Sequence, residues 1–234
     1  MWALVTGGSG DIGRAVCLRL AREGYDVALT TFRAVESAEE VAEKVRAEGR
    51  SARVLRAHLG RAGAAAALAG ECGPVDVLVS NAASGVLRPV AELDEKAFDW
   101  SMAVNARPLL PLVTTLRPRA VVAMSSPGST RALPAYAAVG ASKAALEALV
   151  RYLAVECAPA CRVNAISAGV VDTRALEHFP DRAALLGWAL ARTPAGRLVT
   201  PEDVASAVAW LVSPEASMVT GHTLVLDGGW SLTA

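Results

Sequence analysis

Charge imbalance is absent from this 234-residue chain: 23 basic and 23 acidic side chains cancel to a formal net charge of zero. There is no basic run, so no nucleic-acid partner is expected. Long hydrophobic runs are also missing. No apolar stretch approaches the ~20 residues that cross a bilayer, and no membrane partner is expected. The opening MWALVTGGSG lacks the charged and long apolar regions of a signal peptide. Cysteines are few: Cys17, Cys72, Cys157 and Cys161. The last two stand four apart, but no histidine or second pair completes a zinc set, so no metal is expected. They read as reduced, buried small hydrophobes, and the cytoplasm is the expected location. What is plentiful is apolar surface. At 53% hydrophobic, the chain can build a large core without disulfides. Its length fits one domain spanning 1–234.

Short apolar runs alternate with helical patterns along the whole chain. WALVT at 2–6 reads as a buried strand, GGSGDIG as a turn, and GRAVCLRLAREG as a helix closed by Gly24. Strand, glycine turn and helix in that order form a seat for a pyrophosphate, because backbone N–H groups at the helix start face the phosphates and missing side chains let them approach. A tight turn without a ligand is the plainer reading. YDVALTT, SARVLRA, PVDVLVSNAASG, AVVAMSS, RVNAIS and HTLVLDGGW supply six further strands. Ser37 and Glu40 read as a capping box for a helix ending at Gly49. DEKAFDWSMAVNARPLLPLV reads as one helix, with Asn105 inside it and Pro108, Pro111 and Pro118 ending or kinking it early. Residues 170–200, with Leu176, Phe179, Leu186 and Trp188, read as a lid over a substrate pocket, or as apolar packing onto the sheet. Thr200, Pro201 and Asp203 carry the cap, N1 proline and first-turn acid of a further helix. The pattern predicts an α/β fold: a doubly wound parallel sheet of about seven strands, with helices on both faces.

Two places suggest chemistry. The second strand ends in Thr30, Thr31, Phe32 and Arg33. Folds that read an NAD ribose usually end this strand in an acid. Without a carboxylate, and with an arginine to grip a 2′-phosphate, NADPH is favoured, with NADH as the alternative and a solvated loop arginine as the plain reading. The second place is SSPGSTRALPAYAAVGASKAALEALVRYLAVEC at 125–157. Tyr136 and Lys143 are seven residues apart, about two helical turns, so they lie near one helix face and can point at the same ligand. A phenol beside an ammonium donates well to a developing oxyanion.

VTGGSGDIGRA, VSNAAS, VNA, MSS, GASKAALEAL, RVNAIS-AG and LVLDGG occur in order and at fitting distances. Together they resemble the short-chain dehydrogenase/reductase superfamily over essentially the whole chain. That resemblance implies a single Rossmann domain, a nicotinamide cofactor and a homo-oligomer, dimer or tetramer. Most members carry a tyrosine four residues before the lysine, where this chain has Val139. The Tyr-x6-Lys spacing, with NAASGVLRPV, TPAGR and DGGWSL, is similar to enoyl-acyl-carrier-protein reductase III (the FabL-like type). This implies reduction of a 2-enoyl thioester, with acyl carrier protein as one carrier, in fatty acid biosynthesis or a specialised pathway. The alternatives are a reductase of a ketone or another small substrate, and a non-catalytic NADP(H)-binding protein.

By the same resemblance Tyr136 stabilises the enolate oxyanion, Lys143 holds the nicotinamide ribose, Ser126 meets the thioester or water, and Asn105 supports the lysine. Gly7, Ser9, Gly10, Asp11, Ile12 and Gly13 form the pyrophosphate turn. Arg33, His58 and Leu59 lie at the adenine end, Asn81 and Ala82 line the adenosine ribose, and Gly169, Val171 and Thr173 meet the carboxamide and pyrophosphate. Three features depart from the superfamily pattern. Asp11 replaces a glycine of TGxxxGxG, and no basic residue stands in that turn. His58 stands where an acid or amide often reads the adenine. The segment after Asn105 is short and proline-rich where the superfamily has a long dimerisation helix.

Overall fold

Side chains along the inner strands point alternately to two separate cores in the computed structural model, which describes residues 1–174, 176 and 181–233. Val5, Val27, Leu29, Val77, Val79 and Val122 face one core. Leu4, Ala28, Leu78, Val121 and Ala123, their neighbours in sequence, face the other. A sheet buried on both sides requires near-continuous apolar strands, which is why the expected runs show no polar alternation.

Seven strands form one parallel sheet in the order β3-β2-β1-β4-β5-β6-β7. They are β1 (Trp2–Val5), β2 (Asp26–Thr31), β3 (Ala52–Arg56), β4 (Val77–Ser80), β5 (Ala120–Ser125), β6 (Arg162–Ala168) and β7 (Thr223–Leu226). Helices α1 (Asp11–Arg22), α2 (Val35–Ala47) and α8 (Pro201–Val212) close the first core. Helices α3 (Ala64–Cys72), α5 (Leu109–Leu116) and α6 (Ala137–Glu156) close the second. α4 (Glu95–Asn105) packs on α6, α7 (Arg182–Ala191) follows the 170s, and α9 (Trp230–Thr233) ends the described chain. The strand order reverses between β1 and β4. Their carboxyl ends diverge there and leave the crevice in which such sheets bind ligands. All four cysteines are free thiols; Cys17, Cys72 and Cys161 are buried, and burial pushes the Cys17 thiol well up. No helix of the described residues is long and apolar enough to cross a membrane.

Three local expectations are corrected. α2 starts at Val35 with Ala34 as its N-cap and no side-chain cap, so Ser37 lies inside the helix and makes no capping box with Glu40. The segment from 94 is two helices: Ala106–Pro108 interrupt it, Pro108 caps α5, and Pro111 sits in the first turn of α5, where no intrahelical N–H is lost. Tyr136 is not helical. It is the N-cap of α6, with φ −111° and ψ 6°. At Thr200 the reading holds: its hydroxyl accepts from the Asp203 N–H, while the Asp203 carboxylate accepts from the Thr200 N–H.

Candidate active site

The turn after β1 is held from below by polar side chains. The Asn81 amide donates to the carbonyls of Thr6 (3.0 Å) and Gly7 (3.1 Å). The Thr6 hydroxyl accepts from the N–H groups of Asn81 and Ala82. Gly7 has φ +66°, a region that costs other residues strain. A Cβ on Gly13 would lie 2.3 Å from the Gly7 carbonyl oxygen, so α1 comes this close to the turn only through glycine. Gly10 is different: a Cβ there would meet nothing closer than 3.5 Å. No side chain caps α1, which leaves its first-turn N–H groups for a ligand.

A cavity of about 950 Å³ opens above this turn. Gly7, Ser9, Gly10, Asp11, Ile12, Gly13, Arg33, His58, Leu59, Asn81, Ala82 and Thr173 all line it. Its far wall is aromatic: the His58 ring lies edge-on to Phe32 at 4.2 Å and to Trp100 at 5.4 Å. The Arg33 guanidinium lies 5.4 Å from the centre of the Phe32 ring, on the cavity rim. A glycine cradle, free helix N–H groups and an apolar slot fit the pyrophosphate and adenine of a dinucleotide.

Trp100 and Arg174 also line the cavity, and the sequence reading missed both. Trp100 is legible only once α4 is oriented, one turn before Val104. Arg174 directly follows Thr173, and no local pattern announces it. Its N–H and Nε donate to the two carboxylate oxygens of Asp11 at 2.8 and 2.9 Å, and Nη2 donates to the Ser9 carbonyl at 3.2 Å. Asp11 is the first residue of α1 and makes this ion pair rather than capping the helix.

Gly169 and Val171 do not line that cavity. A Cβ on Gly169 would meet Asp227 at 2.9 Å, so packing alone accounts for this glycine. Val171 is buried in the first core, and its backbone pairs with Val199 in a parallel bridge.

Tyr136, Ser126, Lys143 and Asn105 lie outside the cavity lining, on or beside α6. The Tyr136 hydroxyl donates to Ser126 Oγ at 3.3 Å. Burial raises the pKa of the phenol, and the Ser126 hydrogen bond partly opposes this. Lys143 is 5% exposed and donates from Nζ to the Met124 carbonyl at 2.6 Å. Burial lowers its pKa to about 8, against the attraction of Glu147. Glu147 is buried one turn further along α6 and accepts from the Ser125 hydroxyl. The Asn105 amide is engaged at both ends: Oδ1 accepts from the Ser84 N–H and Nδ2 donates to Ser142 Oγ, both at 2.9 Å. These bonds tie α4 and the loop after β4 to α6. Val139 is buried, with its methyl carbon 2.2 Å from where a Gly85 Cβ would be. Of the lid residues, Trp188 packs against the buried Trp230 ring at 5.5 Å, Leu176 and Leu186 are half-buried, and Phe179 lies outside the described residues.

Residues 8–231 match the family described as Enoyl-(Acyl carrier protein) reductase, and the chain belongs to the short-chain dehydrogenase/reductase superfamily. It is therefore an NAD(P)H-dependent short-chain reductase. The 1-cyclohexenylcarbonyl-CoA reductase of Streptomyces collinus is 36% identical, over 99% of this chain and 87% of that protein. L-xylulose reductase of Mesocricetus auratus is 33% identical, over 99% and 96%. Among solved structures, a 7α-hydroxysteroid dehydrogenase complexed with NADH superposes with a TM-score of 0.90 at 27% identity, over 97% and 93% of the two chains. A blue fluorescent protein from a metagenomic library, in complex with NADPH, gives 0.89 at 28%, over 98% and 97%.

Proposed function

We propose that the protein uses NADPH to reduce the C=C bond of a 2-enoyl thioester. The observation that carries this reading is where the phenols stand. The chain has three tyrosines. Tyr25 is buried against Arg119, and Tyr152 is 69% exposed on α6. Tyr136 alone of the three meets the site serine, and position 139 is a packed valine without a polar atom. Reduction of a ketone puts charge on the oxygen of the carbon that takes the hydride. Reduction of an enoyl thioester takes the hydride at the β-carbon and puts charge on the carbonyl oxygen further away. A donor set back along the chain suits the second case.

Bound NADPH supplies the hydride. Tyr136 and Ser126 hydrogen-bond the thioester oxygen and stabilise the enolate, which takes a proton from solvent at its α-carbon to give the saturated thioester. Lys143, charged, holds the nicotinamide ribose hydroxyls and adds positive potential. Asn105 positions α6 through Ser142, and Ser125 with Glu147 holds the carboxylate near Lys143. Arg33 reads the 2′-phosphate. The similarity to the coenzyme A thioester reductase of Streptomyces collinus supports an acyl thioester substrate. The similarity to a sugar reductase supports a second reading, reduction of a small carbonyl compound. A homo-oligomer in the cytoplasm remains part of the proposal.

NADPH oxidation followed with a 2-enoyl thioester and, separately, a 3-ketoacyl thioester tests the choice. Turnover of the enoyl substrate is expected, and turnover of the ketoacyl substrate alone would reject it. Because the Lys143 pKa is lowered to about 8, its charge is lost as pH rises through that value. kcat/KM is therefore expected to fall on the alkaline side with a midpoint near pH 8.

A further inference from the structure

The turn that receives the cofactor pyrophosphate carries a carboxylate, Asp11, at the first position of α1. A negative charge there repels a bound pyrophosphate, and no basic residue within the turn offsets it. The offset comes from 163 residues along the chain. Arg174 grips both carboxylate oxygens of Asp11, one through its backbone N–H and one through Nε, and binds the Ser9 carbonyl through Nη2. Asp11, Ser9 and Arg174 all face the same cavity.

We propose that Arg174 makes this turn able to accept a dinucleotide pyrophosphate, by neutralising Asp11 and turning its carboxylate toward the segment after β6. The proposal rests on the nicotinamide cofactor of the superfamily and not on the enoyl substrate. The Asp11 and Arg174 side chains are 28% and 60% exposed. An ion pair this accessible adds little to the stability of the fold, so its removal leaves the chain folded and its effect falls on binding. The pair also couples the two sides of the site: Arg174, in the stretch after β6, is fastened to the pyrophosphate turn. Arg33 acts separately, at the adenine end. Loss of Arg174 therefore weakens NADPH and NADH alike.

The test is a double-mutant cycle read by calorimetric dissociation constants for NADPH and NADH, with thermal melting as the folding control. Arg174→Ala is expected to weaken both dinucleotides about tenfold with unchanged melting. Asp11→Asn is expected to tighten both about threefold. The double variant is expected to regain most of the affinity lost in Arg174→Ala, because the charge that Arg174 answers is gone. A double variant as weak as Arg174→Ala would overturn the proposal, since Arg174 would then act on the phosphates or the loop by itself. Equal affinities in all four proteins would overturn it as well. An unaltered chain that binds neither dinucleotide would instead reject the cofactor assignment on which the proposal stands.

Discussion

The nucleotide end and the catalytic end of this site are built differently. The floor of the nucleotide end is made of backbone and of the carboxyl ends of core strands: Gly7, Gly13 and Asn81 form part of the junction of β1, α1 and β4. The catalytic end is made of individual side chains on α6 and the loop before it. Three of them, Tyr136, Ser126 and Lys143, are held by single hydrogen bonds to one another or to a strand carbonyl. Damage to the glycine turn should therefore spread into folding and cofactor affinity together, whereas loss of the Tyr136 hydroxyl should remove turnover and leave both unchanged.

The largest effect tests the second half of that contrast. Tyr136→Phe is expected to lower kcat by about 10²-fold or more, with NADPH affinity and melting temperature unchanged. An unchanged rate would move the oxyanion role to Ser126 or to water. Gly13→Ala tests the first half. Its Cβ would stand 2.3 Å from the Gly7 carbonyl oxygen, so a loss of about 1–3 kcal/mol in stability is expected, together with weaker cofactor binding. Urea unfolding and calorimetry on one preparation would read both. Arg33→Ala should weaken NADPH by roughly tenfold and leave NADH unchanged, and equal losses would remove Arg33 from 2′-phosphate recognition. Thr200→Ala is remote from both ends. It should cost about 1 kcal/mol of stability through the lost cap of α8 and leave both binding and turnover intact.

The contrast also explains what could be read without coordinates. The strands, their parallel order and the glycine turn are local, repetitive signals, set by apolar runs and by backbone geometry that only glycine tolerates. Arg174 was invisible because its partner, Asp11, lies 163 residues earlier and no local pattern surrounds Arg174 itself. The aromatic wall was legible only in part: His58 was placed at the adenine end, but Trp100, which closes the wall, comes from α4 and is 42 residues further along. Tyr136 was identified but placed on the wrong element. A seven-residue spacing implies a shared face only if both residues are helical, and α6 begins one residue after Tyr136. Pro134 and the left-handed Ala135 (φ +57°) immediately precede it and keep the chain out of the helix until that point.

Because Tyr136 stands outside the helix, something else must fix its ring, and two glycines do so. A Cβ on Gly128 would lie 2.5 Å from the Tyr136 ring, and one on Gly140 would lie 2.6 Å from the Gly128 carbonyl oxygen. The Gly140 N–H donates to the Tyr136 carbonyl at 2.7 Å. The phenol is thus keyed into a slot defined by missing atoms. In a saturation-mutagenesis survey scored on turnover, Gly128 and Gly140 would behave like active-site positions, though neither carries a reactive group. Their intolerance would record the shape of the slot and not its chemistry.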